Sequence, residues 1–121
     1  MKKSGIFLFI GLFIAFAGVP LIGSADSMRG LASYYADSLH GNPTASGEPY
    51  DKNAMTAAHR TLEFGTTVKV TYLKTGKTVK VRINDRGPHV KDRIIDLSGA
   101  AAEQLGLKDD GIGEVSVEVS R

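Results

Sequence analysis

The stretch TVKVTYLKTGKTVKVRI, Thr67–Ile83, decides the fold class. Val68, Val70 and Tyr72 alternate with polar residues, and after Lys74, Thr75 and Gly76 the alternation resumes at Val79, Val81 and Ile83. Period-two patterning on both sides of a glycine turn predicts a β-hairpin with one apolar face. Its other face carries Thr67, Lys69, Thr71, Lys80 and Arg82, the composition of a solvated surface. Downstream, Arg93–Leu97 reads as a short strand, and Ser98 can cap a helix over Gly99–Leu105 that stops at Gly106. Asp109, Asp110 and Gly111 then turn the chain into a last strand, Gly113–Val119, with Val115, Val117 and Val119 on one side. Upstream, Gly30–Tyr35 reads as a strand, Asp37–Asp51 as a long turn-rich loop, and Asn53–His59 as a helical turn. The sum is a mainly β domain of about six short strands with one or two short helices. A small closed barrel fits that count, because closure removes exposed sheet edges.

The chain has 121 residues and no cysteine. Its start, Lys2 and Lys3 followed by the uncharged run GIFLFIGLFIAFA (Gly5–Ala17), Pro20 and the small residues Gly23–Ala25, has the order of a secretory signal peptide. Cleavage is expected after Ala25, leaving one domain over residues 26–121. Retention as a membrane anchor is the competing reading, since the apolar run continued through Ile22 is close to the length of about 20 residues that spans a bilayer. Loss of Lys2 and Lys3 reduces 15 basic residues to 13, equal to the 13 acidic ones, so the exported part is formally neutral. That balance argues against a nucleic-acid binder, which needs a basic face. Without disulfides, the domain must hold itself by packing and strand pairing.

No serine triad motif, cysteine nucleophile, phosphate-binding glycine loop or metal-spaced histidine pair is present, and no cofactor or metal is expected. What remains is a set of acids and one histidine in turn-rich segments: Glu48, Asp85, Asp96 and His59. Each has a plain structural role open to it. Glu48 suits an exposed loop. Asp85, in NDRGP, suits a side-chain-to-backbone turn, the simpler reading from residue types alone. Asp96 can cap the following helix or pair with Arg93, and His59 can be a half-buried residue with its hydrogen bonds satisfied. Together they suit acid/base work on a glycosidic bond, which needs a carboxylic acid as proton donor and groups that stabilise charge on the sugar ring. Tyr34, Tyr35 and Tyr50 are suited either to stacking on sugar faces or to the core. His40 and His89 read as surface residues.

Several blocks occur in a fixed order: GLASYY (Gly30–Tyr35), GNPTASGE (Gly41–Glu48), AMTAAHRTL (Ala54–Leu62), FGT (Phe64–Thr66), VRINDRGP (Val81–Pro88) and RIIDLS (Arg93–Ser98). In this the sequence resembles the rare lipoprotein A family of endolytic septal peptidoglycan transglycosylases, from Gly30 to Val119. The resemblance implies a double-psi β-barrel related to those of expansins and family 45 endoglucanases. It implies cleavage of the β-1,4 MurNAc–GlcNAc bond without water, leaving 1,6-anhydro-MurNAc ends. The matching functional positions are Glu48, His59 and Asp85, with Asp96 added by similarity to the related barrels. On this reading Asp85 is the general acid, Glu48 and His59 position the sugar or stabilise charge, and Asp85 and Glu48 can exchange roles.

The expected partner is therefore the peptidoglycan glycan strand, met by a monomer in the periplasm or the medium. No lipid-attachment cysteine is present, so no membrane anchor is expected after cleavage, and the C-terminal glycan-binding domain of larger members is missing from this sequence. A non-catalytic, expansin-like barrel that grips and loosens glycan is the alternative. A hydrolase acting on another β-glucan with two carboxylates is a third reading.

Overall fold

The structure is a computed structural model that describes residues 27–120. The expected signal segment, Met1–Ala25, lies outside the described residues. Six strands close into a barrel: β1 (Ser27–Tyr34), β2 (Thr56–His59), β3 (Thr67–Tyr72), β4 (Thr78–Asp85), β5 (Arg93–Leu97) and β6 (Gly113–Val119). One helix, α1 (Gly99–Leu105), lies between β5 and β6, and a short 3-10 turn covers Asp37–Leu39. Around the barrel the order is β1-β5-β2-β4-β3-β6, and β6 returns to β1.

The hairpin forms as the alternation predicts. β3 and β4 pair antiparallel with Val68 opposite Val81 and Val70 opposite Val79, and β6 continues the wall with Val117 opposite Val70. The inward valines, with Ile83, Ile95 and Leu97, are almost fully buried. The outward face carries Lys69 and Glu118 as an exposed ion pair at 3.4 Å. α1 starts at Ser98, whose hydroxyl accepts from the Ala101 amide, and ends at Gly106 in the left-handed conformation at φ 81°. Its Ala101, Ala102 and Leu105 join the core, which makes the helix a plug on the barrel rather than a separate layer.

Two expectations need correction. The helical turn read over Asn53–His59 is absent. Thr56–His59 is instead β2, parallel to β4 and antiparallel to β5. All four of its residues are buried, so no polar face marks it as a strand in the sequence. The polar lead before Gly30 also belongs to the sheet: β1 starts at Ser27 and pairs with β6 from Glu118 inward.

Candidate active site

β4, β2, β5 and β1 lie side by side and bring one row of residues together. Asp85 stands opposite Ala58, Ala58 opposite Asp96, and Asp96 opposite Ser33. Ile95 and Leu97 point into the core, so Asp96 between them faces outward. Adjacent strands lie about 4.8 Å apart, so the two aspartates are carried on backbone about 10 Å apart, with Ala58 on the strand between them. Both parallel pairings slip by one residue, at Ala57/Ala58 and at Leu31/Ala32. The first slip takes Asn84 out of opposition and turns Asp85 into the row. Irregularities of this kind re-aim side chains beside functional sites.

Asp85 is half-buried and well held. The Tyr35 hydroxyl donates to its Oδ2. The Ala45 and Arg86 amides donate to its Oδ1, at 2.8 and 2.9 Å. A carboxylate offers about four acceptor positions, two per oxygen. Oδ1 is therefore filled, and Oδ2 keeps one open position. Asp96 accepts from the Ser33 hydroxyl through Oδ1, not from the helix, whose cap is Ser98. Tyr35 stacks on Tyr50 with ring centroids 4.3 Å apart, and Tyr50 is 2% exposed with its hydroxyl accepting from the Gly99 amide at 2.9 Å. Burial, followed by the hydrogen bond to Asp85 and the charges of Asp85 and Asp96, pushes the Tyr35 phenol far up. It stays a neutral donor.

Glu48 lies in the loop between β1 and β2, which folds back as a strap. Pro43 and Pro49 pair across it, and Gly47 makes the tip at φ 95°. Four bonds fix the strap to β4. The Ala45 amide reaches Asp85 at 2.8 Å and the Ser46 amide reaches the Asn84 carbonyl at 3.3 Å. Glu48 Oε1 accepts from Asn84 Nδ2 at 2.9 Å, and Oε2 accepts from Arg82 at 3.1 Å. The Asn84 hydrogen bond, then Arg82, holds the Glu48 carboxyl below its ordinary range. A cavity of about 500 Å³ opens beside the strap, lined by Glu48, Tyr50, Ala54, Thr56, Arg82 and Asn84.

His59 does not join the acids through its ring. Ala57 is in the core, and strand alternation puts His59 on the same inner face, 4% exposed. Its Nδ1 accepts from the Thr61 and Leu62 amides, both at 3.1 Å, which assigns the neutral ring's proton to Nε2. Burial, then Arg86 and Arg60, pushes its pKa down. The backbone makes the connection to the site: Arg86 donates to the His59 carbonyl at 3.2 Å while its guanidinium lies 4.1 Å above the Phe64 ring. Arg60 donates to the carbonyls of Pro88, Val90 and Arg93 at 2.7, 2.6 and 2.6 Å. The two arginines thus tie the turn after Asp85 to the end of β2. Tyr35 was open between sugar contact and core in the sequence, and Asn84, Arg60 and Arg86 gave no signal beyond lying in the quoted blocks.

Comparison with known proteins agrees with this geometry. A family model described as lytic transglycolase, of double-psi β-barrel type, matches residues 27–117. The chain belongs to the lytic transglycolase family. It is 59% identical over 89 residues to a probable endolytic peptidoglycan transglycosylase RlpA of Treponema pallidum, covering 74% of this chain and 28% of that protein. It is 54% identical over 94 residues to the endolytic peptidoglycan transglycosylase RlpA of Pseudomonas aeruginosa, covering 78% and 28%. The chain thus spans under a third of those two relatives. Among solved structures, Streptomyces papain inhibitor superposes with a TM-score of 0.64 at 28% identity, covering 78% of this chain and 94% of that one. Clavibacter michiganensis expansin gives 0.61 at 28% identity, covering 78% and 50%. The double-psi barrel and the family are as the sequence blocks imply.

Proposed function

We propose that this lytic transglycolase domain cleaves the β-1,4 MurNAc–GlcNAc bond of peptidoglycan and leaves 1,6-anhydro-MurNAc ends. The observation that carries the reading is Asp85, held by three donors with one open position on Oδ2, in the same outward row as Asp96. Asp85 carries the proton on Oδ2 and gives it to the glycosidic oxygen as the C1–O bond breaks. The C6 hydroxyl of the same MurNAc then closes on C1, and its proton returns to Asp85. No water is consumed, and the acid is restored. Asp96 supplies negative charge beside the developing oxocarbenium ion, a role its place across Ala58 supports. The depressed carboxyl of Glu48 and its two donors favour a strap anchor over an acid. The buried, doubly bonded Nδ1 of His59 favours a role in shaping the turn.

The relatives' names support peptidoglycan as the substrate. The Met1–Ala25 leader supports export to the periplasm or the medium, where the domain works as a monomer. Mass spectrometry of products from intact sacculi and from amidase-stripped glycan strands tests the function. Anhydro ends that vanish in Asp85→Asn are expected, whereas reducing ends would make the protein a hydrolase. The expansin likeness supports a second reading, a barrel that binds glycan without cutting it. No product from either substrate, with retained binding to sacculi, would decide for that reading.

A further inference from the structure

Tyr35 is a half-buried side chain whose hydroxyl reaches Asp85 and to which the mechanism gives no part. It follows β1 directly and is anchored to β5 through its own amide, which donates to the Leu97 carbonyl at 3.0 Å. Its ring is fixed by the Tyr50 stack, in which the planes are 14° apart. Tyr50 in turn is fixed from both sides. Its hydroxyl accepts from Gly99, and its backbone pairs with Gly41 and Asn42 of the strap at 2.8 and 2.7 Å. The Tyr35 hydroxyl thus has little freedom, and it ends on the one Asp85 oxygen that still has an open position.

We propose that Tyr35 is a positioning residue for the glycan reaction. Its hydroxyl fixes the rotamer of Asp85 and fills one side of Oδ2, so the remaining side, the one that carries the proton, points at the glycosidic oxygen. The inference rests on the lytic reading above. It assigns Tyr35 no contact with substrate. Because burial and the neighbouring aspartates keep the phenol protonated, the hydroxyl donates at every pH at which the domain works. The stack links this device to the strap. Moving residues 41–50 would move Tyr50, and with it the Tyr35 ring.

The test uses the purified protein, with Tyr35→Phe and Tyr50→Phe. Both variants keep the stacked rings, and thermal melts verify that they fold. Tyr35→Phe is expected to lower kcat about a hundredfold, the scale of a misplaced catalytic group, with KM nearly unchanged. Tyr50→Phe removes the Gly99 anchor but keeps the stack and the backbone pairs, so it should lower kcat by less than Tyr35→Phe does. A second arm needs no turnover. Carbon NMR of labelled tyrosine at neutral pH should show the Tyr35 Cζ resonance moved in Asp85→Asn relative to the wild type, because the charged acceptor of its hydroxyl is gone. Unchanged kcat in Tyr35→Phe, beside loss of activity in Asp85→Asn, would overturn the role of Tyr35 and leave the lytic reading standing. An identical Tyr35 Cζ resonance in wild type and Asp85→Asn would overturn the contact itself. No turnover by the wild type would overturn the lytic reading and the positioning role together.

Discussion

The wall of β3, β4 and β6 and the seam of β4, β2, β5 and β1 use strands of similar length for different ends. The wall is antiparallel, its β3–β4 and β3–β6 registers run without a slip, and valines fill its inner face. The seam contains both parallel pairs, and each slips by one residue. Asp85, Asp96, Ser33 and His59 all lie on seam strands, and the strap carrying Glu48 is bound to the end of β4. β4 belongs to both regions. Thr78–Arg82 pair with β3 in the wall, and the last residues re-register against β2. Regular pairing gives stability here, and its interruption aims side chains.

The sharpest way to break this comparison is to cut one residue from each region. Asp85→Asn should lower turnover by roughly 10²–10⁴-fold, the usual worth of general acid catalysis, with a nearly unchanged melting temperature. Val70→Ala should do the reverse, losing about 2 kcal/mol in urea unfolding through lost burial and a cavity, with turnover per folded molecule intact. A large stability loss in Asp85→Asn, or a large rate loss in Val70→Ala, would merge the two regions into one.

Two glycines sharpen it further. A Cβ at Gly113, in β6, would lie 2.5 Å from the Tyr72 ring and 2.8 Å from Leu107 Cδ1, both buried. At Gly30, in the seam, the nearest atom is Ile94 Cγ2 at 2.7 Å, on a side chain that is partly exposed and can turn. Gly113→Ala should therefore destabilise by about 1–3 kcal/mol, the range for overpacking, and Gly30→Ala by less. Equal midpoint shifts in urea would show the seam to be packed as rigidly as the wall.

The same division governs what the sequence reveals. The hairpin, β5, α1 and β6 were legible because each writes its own pattern: alternation, a serine cap, a glycine stop. β2 was not. Thr56, Ala57, Ala58 and His59 are covered on both faces, and two alanines in a row read as helix formers. The row joining Asp85 to Asp96 was equally hidden, because it depends on parallel pairing between segments distant in the chain and on a register slip. The quoted sequence blocks named Glu48, His59, Asp85 and Asp96. Only the coordinates show that they divide between an outward row, a strap and an inner turn.

A smaller effect separates anchor from acid at Glu48. Glu48→Gln keeps an acceptor for Asn84 and gives up the ion pair with Arg82, so activity should fall only severalfold. Glu48→Ala releases the strap, and should cost about tenfold or more while speeding hydrogen exchange at the Ala45 amide, which local opening exposes. Complete loss of activity in Glu48→Gln with Ala45 exchange unchanged would return Glu48 to proton transfer.

The smallest expected effect concerns His59, and its sign follows from the ring's environment. Burial and the charges of Arg86 and Arg60 favour the neutral ring, so its folded pKa lies below the ordinary 6.5. A group depressed in this way supports folding above 6.5, and that support is lost as pH falls through the folded value. Protonating Nδ1 would also turn an acceptor of two amides into a donor facing them. Urea unfolding of the wild type should therefore show stability falling between pH 7.5 and pH 5, and His59→Gln should reduce that fall. A turn-shaping histidine requires the rate of His59→Gln to fall in step with faster exchange in residues 86–93. An acid/base histidine requires the rate to collapse while exchange and the pH slope of stability stay as in the wild type. The two roles differ in which measurement moves, so the pair of readings assigns His59 to the seam's framework or to its chemistry.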